Sequence, residues 1–150
     1  TKYINGERIV LRNLLYLTKG RTWYEKFGFI PCSVDTEGRM NFAPRAFKNH
    51  DMNTNMYMKK TVTDLNLNKK DLYDIFPHDD KKLIKSLYIQ LLNNKNMLIK
   101  DLVEIINTKK YSTLLNTFLD EIVLILNLHV PQSMCVDINY AYNIVVNGNI

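Results

Sequence analysis

Thr18-Lys-Gly-Arg-Thr-Trp-Tyr-Glu-Lys-Phe-Gly-Phe-Ile-Pro31 is the stretch from which the fold class is read. It holds the single tryptophan, Trp23, with Tyr24, Phe27 and Phe29 close by. Gly20 and Gly28 bracket a short helical piece over Trp23 to Phe27, and Pro31 pushes Ile30 toward extended backbone. A turn of helix, a glycine stop and an extended exit make a tight helix-to-strand junction. Downstream, Ile30 to Val34 and Arg39 to Phe42 read as two strands, with turn chemistry in Asp35-Thr36-Glu37-Gly38 between them. Upstream, residues 8 to 18 read as a short helix. Ile9, Leu11, Leu14, Leu15 and Leu17 or Thr18 form its apolar face, and Gly20 stops it.

Beyond the hairpin, Pro44 to Tyr57 is polar and rich in asparagine, and it reads as a loop or linker. The remainder is helical in pattern. Thr63 and Asp64 are candidate caps. Asn68 is the better one, with Asp71 three residues later and Leu72, Ile75 and Phe76 on the apolar side. Pro77 ends that helix. Asp79 and Asp80 stand at the start of the next, where carboxylates suit the positive end of the helix dipole. Leu83, Ile84, Leu87, Tyr88, Leu91 and Leu92 follow at helical spacing. Asn93 to Asn96 is a short connection. Leu98, Leu102, Val103, Ile105 and Ile106 mark a further helix. Ser112 or Thr113 caps a long one through Leu126, with Leu114, Leu115, Phe118, Leu119, Ile122, Val123, Ile125 and Leu126 inward. Short polar turns between these helices favour antiparallel packing. Residues 134 to 146 alternate Val136, Ile138, Tyr140, Tyr142, Ile144 and Val146, which favours a strand and leaves a helix open. The fold expected is α+β and helix-dominant: an N-terminal helix plus β-hairpin packed on a C-terminal helical bundle. Residues 1–58 form a basic helix–hairpin subdomain with its linker and 59–150 a helical subdomain, together one compact unit.

At 150 residues and 46% hydrophobic content the chain suits one domain with a real core and not intrinsic disorder. No apolar run approaches the ~18 residues that span a bilayer, so no membrane partner is expected, and no secretory signal is visible. Cys32 and Cys135 are expected to be reduced thiols of an intracellular chain. Neither has zinc-site spacing, nor do His50, His78 and His129, so no metal is expected. His78 next to Asp79 and Asp80 reads as a loop residue before an acid-capped helix. Abundant asparagine and lysine with only Ala43, Ala46 and Ala141 suit an AT-rich coding genome, such as that of a large DNA virus or some protists. A viral chain would work in the host cytoplasm or nucleus. No nucleophile elbow, P-loop or dinucleotide fingerprint occurs, and no internal repeat is present.

The net charge is +5. Residues 1 to 60 carry 11 Lys/Arg against 5 Asp/Glu, and residues 61 to 150 carry 9 lysines against 10 Asp/Glu. All five arginines, Arg8, Arg12, Arg21, Arg39 and Arg45, precede residue 46. The lysine pairs 59/60, 69/70, 81/82 and 109/110 read as scattered solubilising positions and not as one stripe.

Tyr24-Glu-Lys-Phe-Gly28-Phe29 resembles the late helix-to-strand motif of the GNAT acyltransferase family, in which a tyrosine stands four residues before a Gly-Phe pair. The resemblance covers at most residues 9 to 34. It implies that Tyr24 would protonate the leaving thiolate of coenzyme A, with Lys19 or Arg21 near its phosphates. The family's pyrophosphate loop, an Arg/Gln-x-x-Gly-x-Gly/Ala pattern ahead of this motif, has no counterpart in the 23 residues before Tyr24.

Three function classes follow. The preferred one is a non-enzymatic interaction or structural protein with a GNAT-like fragment, needing no cofactor and binding a protein partner. Trp23, Tyr24, Phe27 and Phe29 would then dock the hairpin onto the helices. The second is a divergent acyltransferase using acetyl-CoA. The third is a nucleic-acid-binding accessory protein. There Arg8, Arg12, Arg21, Arg39 and Arg45, with Lys19 and Lys26, would grip phosphates while Trp23 stacks on bases.

Overall fold

The computed structural model describes residues 2–4, 7–9, 11–21, 29–31, 33–34, 37, 40–41, 44–130 and 134–136. Outside 11–21, 37 and 51–130 only the backbone is described. Among these residues the chain forms seven α-helices: α1 (Leu11–Lys19), α2 (Pro44–Met58), α3 (Val62–Leu65), α4 (Lys69–Ile75), α5 (Lys81–Asn93), α6 (Ile99–Ile106) and α7 (Ser112–Ile125). A 3-10 turn, Lys109–Tyr111, leads into α7.

The α+β class is not what forms. Among the described residues, extended pairing consists of one isolated bridge, Thr61↔Leu98, and six pieces of two or three residues in separate two-stranded ladders: β1 (Lys2–Ile4) with β2 (Glu7–Ile9), β3 (Phe29–Pro31) with β6 (Met134–Val136), and β4 (Ser33–Val34) with β5 (Met40–Asn41). A two-stranded ladder is marginal by itself, and no sheet layer exists among the described residues for helices to pack on. The expected pair of strands, Ile30–Val34 with Arg39–Phe42, shrinks to the matches Ser33↔Asn41 and Val34↔Met40. Its upstream half turns instead to the C-terminal segment, Phe29 facing Val136 and Ile30 facing Cys135. Cys32, the Trp23–Phe27 piece and the rest of 134–146 lie outside the described residues.

Two further boundaries differ. The first helix starts at Leu11, because residues 7–9 are taken up by pairing with residues 2–4 in the register Tyr3↔Arg8. The stretch expected as a linker is α2. Pro44 suits a first helical position, since its missing N–H has no intrahelical partner there anyway. The helix has few apolar residues to announce it, and where its side chains are described it buries only Thr54 and Tyr57.

The core is helical. α7 buries Leu114, Leu115, Phe118, Leu119 and Ile122, and α6 buries Ile99, Leu102, Val103 and Ile106. α1 lies across both and adds Leu14, Tyr16 and Leu17 to the same cluster. α4 packs on α5, which contributes Ile84, Leu87 and Leu91. Caps set the short helices. Asn68 Oδ1 accepts from Asp71 N–H at 2.8 Å, while the Asp71 carboxylate accepts from Asn68 N–H at 3.0 Å. Asp64 does the same for Thr61 N–H at 2.8 Å, and Asp80 accepts from Lys82 N–H at 2.9 Å to start α5.

Candidate functional site

The residues expected to carry function are not gathered into one described site. Trp23, Tyr24, Lys26 and Arg39 lie outside the described residues, and for Arg8 in β2 and Arg45 in α2 only the backbone is described. Arg8 and Arg12 do not share a helix, because Arg8 is in a strand. Arg12 in the first turn of α1 and Arg21 just past its glycine stop are both exposed. Lys19 reaches Glu104 of α6 at 3.8 Å, both side chains being more than half exposed; such a surface pair contributes ~0–1 kcal/mol. Asp80 is spent on capping α5, and no group of three or more His, Cys, Asp or Glu among the described residues is arranged to hold a metal ion. Among the same residues no helix is long and apolar enough to cross a membrane.

One polar cluster lies inside the molecule, where α1 meets α2. The Tyr57 hydroxyl donates to the Leu17 carbonyl at 2.6 Å. That carbonyl belongs to the last turn of α1, where backbone acceptors have no partner within the helix. Tyr16 and Thr54 hydroxyls share a hydrogen bond at 3.1 Å, and the Tyr16 and Tyr57 rings stack with centroids 6.0 Å apart. Burial first, and the neighbouring Tyr16 second, push the Tyr57 phenol far above its ordinary value, so it stays a hydrogen-bond donor at neutral pH and is no acid–base catalyst there. Gly20 closes α1 with φ +75° while its N–H returns to the Tyr16 carbonyl at 2.9 Å. A Cβ there would come within 3.1 Å of both Met58 Sδ and Thr54 Cγ2. The glycine thus serves the left-handed cap and also the close approach of α2. This cluster is a structural joint between two helices.

The surface offers a cleft. Residues 60–63 run against 95–99: Val62 N–H donates to Met97 O and Ile99 N–H to Lys60 O, both at 2.9 Å. Thr63 donates to Lys95 O from its amide at 3.1 Å and from its hydroxyl at 2.7 Å. Beside this seam opens a cleft of about 230 Å³. Val62, Leu65 and Leu67 form one wall, Tyr88, Leu91 and Leu92 of α5 the other, with Asn66, Asn68 and Lys95 at the polar margin. Asn66 takes φ 48° to end α3, a conformation that asparagine tolerates better than most residues. The two capping boxes and the seam hold the wall in place, so the cleft is preformed.

The exposed side of α5 continues from this cleft. Ile89 is 45% and Leu92 44% exposed, and Lys81, Lys82 and Lys85 are exposed one to two turns earlier. Ser86 and Tyr111 hydroxyls share a hydrogen bond at 2.7 Å, which ties α5 to the 3-10 turn. Lys110 Nζ lies 5.2 Å from the centre of the Tyr111 ring, a cation–π contact. The turn that carries the lysine pair 109/110 is thus tied to the helix that begins with the pair 81/82.

In the sequence Tyr88, Leu91 and Leu92 stand at the helical spacing of an apolar face, and of the three only Leu92 is exposed. The available signal was the width of that face: with Ile89, the seven apolar residues from Leu83 to Leu92 span more of the helix than a single ~100° stripe. Compared with known proteins, the chain matches no family model, no curated protein and no solved structure.

Proposed function

We propose that this protein acts by binding another protein, through the cleft between the α3–α4 connection and α5. The observation that carries the reading is the preformed apolar cleft of about 230 Å³ with half-exposed Leu92 at its edge. Pockets for drug-sized ligands run to ~300–1,000 Å³; the smaller cleft suits one or two side chains presented by a peptide or helix. A bulky apolar side chain placed there would cover Leu91, Leu92 and Tyr88 at ~25 cal/mol per Å² of apolar surface removed from water. This keeps the interaction role expected from the sequence and gives it a contact surface on α5.

Selection of phage-displayed peptides on the protein, with counter-selection on Leu92→Glu, tests it. Peptides sharing a bulky apolar residue should be enriched on the protein and not retained by the variant. Leu92 is half exposed, so the variant should melt at the same temperature as the parent. Absence of enrichment, or peptides that bind both proteins equally, would remove the cleft from consideration.

A further inference from the structure

From Lys81 to Lys100 the chain contains Lys81, Lys82, Lys85, Lys95 and Lys100 and no aspartate or glutamate. The stretch comprises α5, its connection and the first turn of α6. It runs through the part of the sequence with the more acidic balance, residues 61 to 150, so the local excess is hidden in any count by halves. Lys82 lies one helical turn before Ser86, on the same side of α5. The Ser86–Tyr111 hydrogen bond ties the 3-10 turn Lys109–Tyr111 to α5, with Lys110 over the Tyr111 ring. None of Lys81, Lys82, Lys85, Lys109 or Lys110 forms an ion pair with a described residue. The carboxylate closest in sequence, Asp80, is bonded to the Lys82 amide at the start of α5.

The same exposed face carries Ile89 and Leu92 on its second half, next to the cleft. Cations that form no ion pair with a described residue, followed along one helix face by exposed apolar side chains and a cleft, match a ligand with both features in the complementary order. We infer that the α5 face, completed by the 3-10 turn, docks an acidic amphipathic protein segment. Its carboxylates would lie along Lys81, Lys82, Lys85, Lys109 and Lys110, and an apolar side chain would enter the cleft beside Leu92. The inference rests on the cleft being a protein-binding site and adds the chemical class of the partner. A nucleic-acid backbone would satisfy the lysines but leave Ile89 and Leu92 facing water.

Fluorescence anisotropy with labelled amphipathic helical peptides tests this. One peptide carries leucines along one face and glutamates on the rest; a second replaces every glutamate by glutamine, and a third replaces the leucines by serine. The glutamate–leucine peptide should bind at least about tenfold more tightly than either relative, and the margin over the glutamine peptide should shrink with added salt. Lys82→Glu with Lys85→Glu should weaken it about tenfold. Glutamates are well accommodated near a helix N-terminus, so the double variant should fold. Arg12→Glu with Arg21→Glu makes the same change in net charge on and just beyond α1 and should leave the affinity unchanged. Equal binding of the glutamate and glutamine peptides would overturn the acidic partner while leaving the apolar cleft standing. No binding by any of the three would remove both. Tighter binding of single-stranded DNA, or of vesicles containing phosphatidylserine, lost on the same lysine substitutions, would assign the face to phosphate or lipid and overturn the inference.

Discussion

Tyr57 carries more of the α1–α2 joint than its neighbours. Its hydroxyl meets a backbone acceptor at the end of α1, and the Leu17 residue that supplies it is fully buried. Tyr57→Phe keeps the ring stack and removes the donor, so a buried carbonyl loses its partner. The expected cost is ~1–3 kcal/mol, read as a lower urea midpoint at unchanged slope. The same residue makes stability depend on alkaline pH. Burial raises the folded-state pKa above the ordinary value of 10.0, which the unfolded chain retains. Above that pH the folded state holds a proton that the unfolded state has lost. The contribution of Tyr57 is therefore complete below about pH 10 and declines as pH rises past it, by up to ~1.4 kcal/mol per pH unit. Urea melts near pH 9 and pH 11 should show a smaller alkaline loss in Tyr57→Phe than in the parent. An equal loss in both proteins would mean that this phenol is not the buried proton holder.

Short helices here stand on their caps and their packing, not on length. α4 and α6 are well under the ~12–15 residues at which an isolated helix becomes even marginally stable. Asn68 and Asp71 satisfy two otherwise unpartnered amides at the start of α4. Asn68→Ala removes one of these bonds and should cost ~1 kcal/mol, seen as a drop in thermal midpoint with the helical circular dichroism retained. Because Asn68 also edges the cleft, the variant should weaken peptide binding if the wall depends on this cap. Element-scale chemistry of this kind was legible beforehand. Asn68 with Asp71, Asp80 before α5, and Pro77 after α4 announce their roles within four residues of where they act. α2 was not legible. Its asparagine-rich face has the composition of a loop, and what holds it against α1 is Tyr57, Thr54 and the space left by Gly20, contacts with residues 34 to 40 positions away.

α1, α6 and α7 share one buried cluster, and Phe118 is a fully buried member of it. Phe118→Ala removes an aromatic ring from a site walled by three helices, at an expected ~3–5 kcal/mol. Against the ~5–15 kcal/mol of a typical domain, that is a large fraction. A single cooperative urea transition, followed by helical circular dichroism, should move to much lower denaturant. A second transition unaffected by the substitution would show that α1 or α4 and α5 unfold apart from this core.

By itself the sequence determined the helical part of this protein: α4 to α7, their order and most of their limits. Apolar spacing and capping residues act within one or two turns of chain, so they are visible without knowing what lies opposite. The tertiary structure decided the class as a whole. Strand propensity around Ile30 and Val34 yields only ladders of two or three residues, since a strand needs partners that propensity does not supply. It also decided the surface. Leu92 has the spacing of a core residue, yet it borders an open cleft because the chain opposite α5 there is the turn between two short helices. Lys110, over the Tyr111 ring, is tied to α5 because Ser86 and Tyr111 bond across 25 positions. Burial and charge density depend on which elements meet, and that is a property of the packed molecule.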